Sequence, residues 1–195
     1  INYICNLIFK FYTMEINGDF KFKLLNVISW ILFIGLAIET GGYFTNALVT
    51  LFFNSEWASH FWGNLDLSGL YTFDLGLFIC FITILILISL CKTIMFYHII
   101  SIFHKKKFDL ENPFNETIKI YLFNFAYIVL EIGLFAYAGK VFAKWLMDQG
   151  IKLPPLENLN FDGSDVWIFM GITLFLFAKI FKKGVELQNE NDFTV

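Results

Sequence analysis

Residues 75–103 read LGLFICFITILILISLCKTIMFYHIISIF, a run in which Lys92 is the single charged side chain. A helix rises about 1.5 Å per residue and the hydrocarbon core of a bilayer is about 30 Å thick, so about 20 apolar residues cross it. The run exceeds that length. Because lipid offers backbone N–H and C=O groups no partner, a segment lying there must be helical. On either side of it, runs 24–53, 118–146 and 166–181 are also long and apolar, the last with Lys182 and Lys183 beyond it. The pattern predicts an all-α polytopic membrane protein, four transmembrane helices in an antiparallel bundle. Runs longer than the bilayer is thick must tilt, bend or project into water.

Composition agrees. Of 195 residues 57% are hydrophobic and 16% charged, and the mean hydropathy is +0.65, above the balance of a water-soluble domain. A net charge of -3 gives no basic face to displace counterions, so direct nucleic-acid binding is not expected. Cys5, Cys80 and Cys91 lack the spacing of a zinc or redox site, and Cys80 and Cys91, inside one apolar run, read as small buried hydrophobes. Ile1 to Thr13 does not have the layout of a signal peptide, and Met14, followed by the polar stretch Glu15 to Asp19, is expected as the start of translation. The chain then divides into an amino-terminal segment 1–23, a four-helix membrane domain 24–183 and a tail 184–195.

The connections set the expected orientation. Between the first two runs lie Glu56, Asp66 and Asp74 with no lysine, and between the third and fourth lie Pro154, Pro155, four acidic residues and Lys152. Lys105, Lys106 and Lys107 occupy the short loop between the second and third; Lys10, Lys21, Lys23, Lys182 and Lys183 flank the bundle at the same end. Lysine-rich ends stay in the cytoplasm, which places both termini there. Trp57, Trp62, Trp145 and Trp167 fall at the opposite ends, where indole rings prefer the headgroup layer. His60 is expected among them as an interfacial residue, since no second metal ligand stands at helical spacing. Asn112-Pro113-Phe114 reads as the start of the third span, with Asn as cap and Pro at the first helical position.

An ionisable side chain in mid-membrane costs ~2.5 to 3.5 kcal/mol and needs a partner or a route to water. Glu39, Lys92 and Glu131 lie roughly 18 to 23 Å from the lysine-rich helix ends, on one level. They are expected to form an intramembrane polar cluster joining the first three helices, one carboxyl staying protonated. The alternative has Lys92 snorkelling to the inner interface and Glu39 reaching outer water where the first helix bends near Gly41 and Gly42. Gly35, Gly42 and Asn46 flank Glu39 at four- and three-residue spacing and make a stripe suited to close helix approach. No catalytic constellation stands out: there is no nucleophile elbow, no paired-histidine zinc motif and no phosphate-binding glycine loop. His98 and His104 fall on nearly opposite faces of one helix. Neither an enzyme nor a cofactor or metal site is expected.

The carboxyl end, FKKGVELQNENDFTV over residues 181–195, resembles the ending of a bacterial membrane-protein family known as domain of unknown function 2975, with Phe193 in place of the usual leucine. Asn112-Pro113-Phe114 is similar to that family's inter-helix motif. The resemblance implies a multi-pass protein of the bacterial cytoplasmic (inner) membrane with no established activity. It also implies a partner, because the family's genes often stand beside one for a small helix-turn-helix DNA-binding protein. Physically, Glu186, Glu190 and Asp192 could dock a basic protein surface; alternatively the tail is solvated and the helix ends at Gly184. Three functions remain open: a sensor or anchor for a cytoplasmic regulator, a small proton- or ion-coupled carrier using the Glu/Lys cluster, or a structural subunit of a larger envelope complex.

Overall fold

A computed structural model describes the backbone of residues 18–104 and 115–192, and the side chains of residues 23–102 and 115–190. In chain order the helices are α1 (Gly18–Phe52), α2 (Ser68–Phe73), α3 (Leu75–His104), α4 (Glu116–Asp148) and α5 (Ser164–Asp192), with 3-10 turns at Ser55–His60 and Leu156–Leu159. Among the described residues no strand forms; Phe61 and Leu65 make an isolated bridge. Four helices, α1, α3, α4 and α5, are long and apolar enough to cross a membrane, as the four runs predict. Met14, Cys5, Lys105 to Lys107 and the Asn112-Pro113-Phe114 motif lie outside the described residues.

The helix ends follow from capping chemistry. Asn115 Oδ1 accepts from Ile118 N at 2.9 Å to start α4, and Asp74 Oδ1 accepts from Leu77 N at 2.7 Å to start α3. Each satisfies one of the amide groups a first turn leaves without a partner. At the far end of α4, Gly150 takes φ 83 and Ile151 N returns to Leu146 O at 3.2 Å, the left-handed stop that favours glycine. Three ends differ from expectation, the first being that of α4, which Asn115 caps and which starts at Glu116 instead of at Pro113. The helix at the amino side begins at Gly18, inside the segment expected to precede the bundle, and α5 runs unbroken through Gly184 to Asp192. Ion pairs of Glu186 with Lys182 and Lys183, at 3.8 and 3.4 Å, support that last stretch one turn apart.

Neighbours along the chain pack side by side: α1 on α3, α3 on α4, and α4 on α5 most extensively. Only 6% of the most apolar stretch of α1 is buried, against 39% for α3, so α3 is central and α1 leans on its side. Glycines set the closest approach. A Cβ on Gly133 would lie 2.7 Å from Ile168 Cγ1, and one on Gly171 would lie 2.6 Å from Leu130 Cγ, so α4 and α5 meet backbone to side chain as small residues allow.

That register has a consequence for the joining segments. Ile168 faces Gly133, yet α4 continues to Asp148 while α5 begins at Ser164. The start of α5 is therefore about 16 Å deeper than the end of α4. Residues 149–163 run back along the bundle to reach it. They pack with residues 54–74 into a cap whose core includes Phe61, Leu65, Leu67 and Leu70, the aromatic rings of Phe78 and Phe81 from α3, and Leu159 and Phe161. Phe161 lies over Gly139 and edge-on to Phe81 at 5.7 Å. A second cluster, Cys91 and Met95 with Val129 and Ile132, joins α3 to α4 nearer the opposite, terminal end.

Candidate functional site

A polar site between α1 and α3 is built around a residue of the cap. Asn160 follows the turn Leu156–Leu159 with φ 58 and ψ 18, a left-handed conformation that Asn tolerates better than most non-glycine residues. Its side chain is thereby aimed between α1 and α3. Asn160 Nδ2 donates to Glu39 Oε1 at 2.7 Å and to Tyr43 Oη at 3.2 Å. Lys92 Nζ donates to Asn160 Oδ1 at 3.4 Å. One neutral amide, donor on one side and acceptor on the other, thus satisfies a carboxylate and an ammonium together.

Beside it, Thr40 Oγ1 and Thr93 Oγ1 lie 3.0 Å apart, which holds α1 and α3 in register at the same depth. Tyr43 is 3% exposed; Glu39, Lys92 and Asn160 are half-buried. Glu39 and Lys92 form no direct ion pair. Ion pairs among the described residues include Lys119 with Glu116 and the two pairs of Glu186, all of them away from this site. The bridge therefore separates its charges by an amide, an arrangement that avoids leaving a buried charge without a hydrogen bond.

Both readings of the polar residues need adjustment at this point. Lys92 extends toward the cap instead of the terminal end, and α1 stays helical through Gly41 and Gly42, with Glu39 bound to Asn160 instead of open to water beyond a bend. Glu131 shares the depth, since Cys91 beside Lys92 packs among Val129 and Ile132. It is nonetheless outside the bridge, exposed on the outward face of α4. The physical reason is that residue counting gives height along a helix, and the face is set by which neighbours the helix finds. The stripe is likewise divided: a Cβ on Gly42 would lie 2.1 Å from Trp62 Cδ2, while Gly35 has nothing within 4 Å. Gly42 thus receives the cap's indole ring, and Asn46 is half-buried above it.

Gly184, Glu186 and Glu190 lie on the last turns of α5, and Asp192 is its final residue. His60 sits in the cap with Nδ1 2.7 Å from Ser59 Oγ. Beside it in sequence, Asp66 accepts from the Ser68 hydroxyl at 2.6 Å and from Ser68 N at 3.0 Å. Those bonds, the hydroxyl foremost, hold its carboxyl below the usual carboxylate range. Among the described residues no three His, Cys, Asp or Glu side chains gather as a metal site would require.

Asn160 is the residue that sequence reasoning missed. Its signal was faint: an Asn two residues before Asp162-Gly163, in a stretch bounded by Pro154-Pro155, where turn chemistry favours positive φ.

Comparison with curated proteins and with solved structures finds no match. A family model, described as Protein of unknown function (DUF2975), matches residues 52–195. That stretch takes in the cap, α3, α4, α5 and the tail, and with them Lys92 and Asn160 of the bridge; Glu39 and Tyr43 precede it. The chain belongs to the DUF2975 family.

Proposed function

We propose that the chain is a multi-pass protein of the bacterial cytoplasmic membrane that senses a condition at its capped face and anchors a regulator at its terminal face. The observation that carries this reading is the Asn160 bridge. A cap residue is bonded to the two helices, α1 and α3, whose other ends emerge on the far side of the bilayer. Anything that displaces residues 149–163 must break those bonds and free α1 and α3 to shift, a two-state element of the kind signalling requires.

Orientation follows the lysines. Among the described lysines, Lys140, Lys144 and Lys152 belong to the capped end and Lys92 to a span, while Lys21, Lys23, Lys119, Lys179, Lys182 and Lys183 lie toward the terminal end, which the positive-inside rule assigns to the cytoplasm. There α5 projects as a helix bearing Glu186 and Glu190. An acidic helix complements the basic surface with which a small DNA-binding protein meets phosphate, so docking would compete with DNA.

The test is capture from native membranes with a tagged full-length chain. Recovery of a helix-turn-helix protein that is lost when residues 186–195 are deleted, and altered by Asn160→Gly, supports the reading. Recovery of none, or capture indifferent to both changes, overturns it. The second reading, an ion-coupled carrier, is favoured by the half-buried Glu39 and Lys92 in mid-span; it requires flux in proteoliposomes that Glu39→Gln abolishes.

A further inference from the structure

The outward face of α4 carries a polar stripe that the bridge does not use. Asn124, Tyr127, Glu131, Leu134 and Ala138 recur at spacings of three and four, and each is exposed, Tyr127 by 52% and Leu134 by 58%. Glu131 stands near the midpoint of a helix that spans Glu116–Asp148. Among the described residues it makes neither a hydrogen bond nor an ion pair, and Cys91 lies behind it among Val129 and Ile132. On the α3 side, His98 directs Nδ1 at its own helix, 3.0 Å from Ile94 O. A carboxyl and a primary amide two turns apart thus face hydrocarbon, where lipid tails give neither a partner.

We propose that this stripe is the face by which two copies of the chain associate in the membrane, Glu131 against Glu131 and Asn124 against Asn124. Copies inserted in one bilayer share an orientation, so a two-fold axis along the membrane normal brings each level of α4 against the same level of its partner. The residues suit that symmetry. A primary amide both donates and accepts, and so does a protonated carboxyl, which makes each complementary to itself. Ala138 on the same face permits close approach, and such polar and small positions are what hold helices together in lipid. A different protein would instead have to bring its own donor to the depth of Glu131. The inference does not rest on the sensor reading, since it concerns a face remote from Asn160.

The experiment is disulfide cross-linking in native membranes. Cys5, Cys80 and Cys91 are replaced by alanine, and single cysteines are placed on the stripe, Leu134→Cys and Ala138→Cys, or off it, Ile31→Cys on α1 and Phe169→Cys on α5. Oxidation is expected to yield a linked dimer from the stripe positions and little from the others. In the Leu134→Cys chain, Glu131→Leu should lower the linked fraction about tenfold, the worth of an interhelical hydrogen bond. Glu131→Gln, which keeps a donor and an acceptor, should preserve it and covers the case in which the leucine variant fails to fold. Absence of linkage at both stripe positions, equal linkage at Ile31→Cys, or loss of the dimer with Glu131→Gln would each overturn the proposal, the last by pointing to a cationic partner.

Discussion

Asn160 Nδ2 and Glu39 Oε1 lie 2.7 Å apart although 121 residues separate them in the chain. The contact exists because α5 starts deep beside Gly133, so that residues 149–163 must descend from the end of α4 to meet it. The descending segment brings one amide to the level of Glu39 and Lys92. Packing of two glycines thereby determines where a polar bridge forms.

Gly42 and Gly35 should respond oppositely to alanine. A methyl group at Gly42 would meet the Trp62 ring at 2.1 Å, whereas at Gly35 nothing lies within 4 Å. Gly42→Ala is expected to cost about 1–3 kcal/mol as the indole is pushed out, and Gly35→Ala to stay within about 0.5 kcal/mol. Thermal unfolding in detergent, with tryptophan fluorescence following Trp62, checks both; equal effects would contradict the seating of the ring.

Gly133 is the tighter test of α4 against α5. Its Cβ would lie 2.8 Å from the backbone nitrogen of Ile168, an atom that cannot swing aside as a side-chain end can. Gly133→Ala is expected to destabilise by about 1–3 kcal/mol and to shift the emission of neighbouring Trp167. Unchanged stability and emission would mean that the helices do not meet there.

Asp66 gives the cap an acid-sensitive component. Its folded pKa lies below the ordinary value because the Ser68 hydroxyl and N–H bond the carboxylate. The stability it contributes is therefore present above the unfolded pKa and is lost as pH falls through the folded one. Ser68→Ala should move the carboxyl back up toward the ordinary value, read from its NMR titration, and Asp66→Asn should remove this part of the acid loss. A titration unmoved by Ser68→Ala would contradict the assignment.

The span pattern was legible because hydrocarbon thickness imposes a minimum length on apolar runs, and residues 75–103 meet it without interpretation. Depth was legible for the same reason: a fixed rise places Glu39, Lys92 and Glu131 on one level. The faces were not. Glu131 looks outward because Val129, Ile132 and Gly133 claim the inward arc of α4, a choice that depends on partners no local pattern encodes. Asn160 was hidden for a related reason, since a residue in a connecting segment enters the bundle only when the depth of the following helix is known. At the carboxyl end, Gly184 is an ordinary stop signal, overridden by Lys182 and Lys183 pairing with Glu186 across it.

One amide couples Lys92 and Glu39 to the cap, and a double-mutant cycle between Asn160→Gly and Lys92→Met in detergent-solubilised protein measures that coupling. Glycine keeps the left-handed backbone and removes only the bridge. Each single change is predicted to cost about 1–3 kcal/mol, and the double change about as much as the larger single, a coupling of about 1 kcal/mol or more. Strictly additive losses, or a Lys92→Met protein as stable as the parent, would mean that Asn160 does not join Lys92 to the cap.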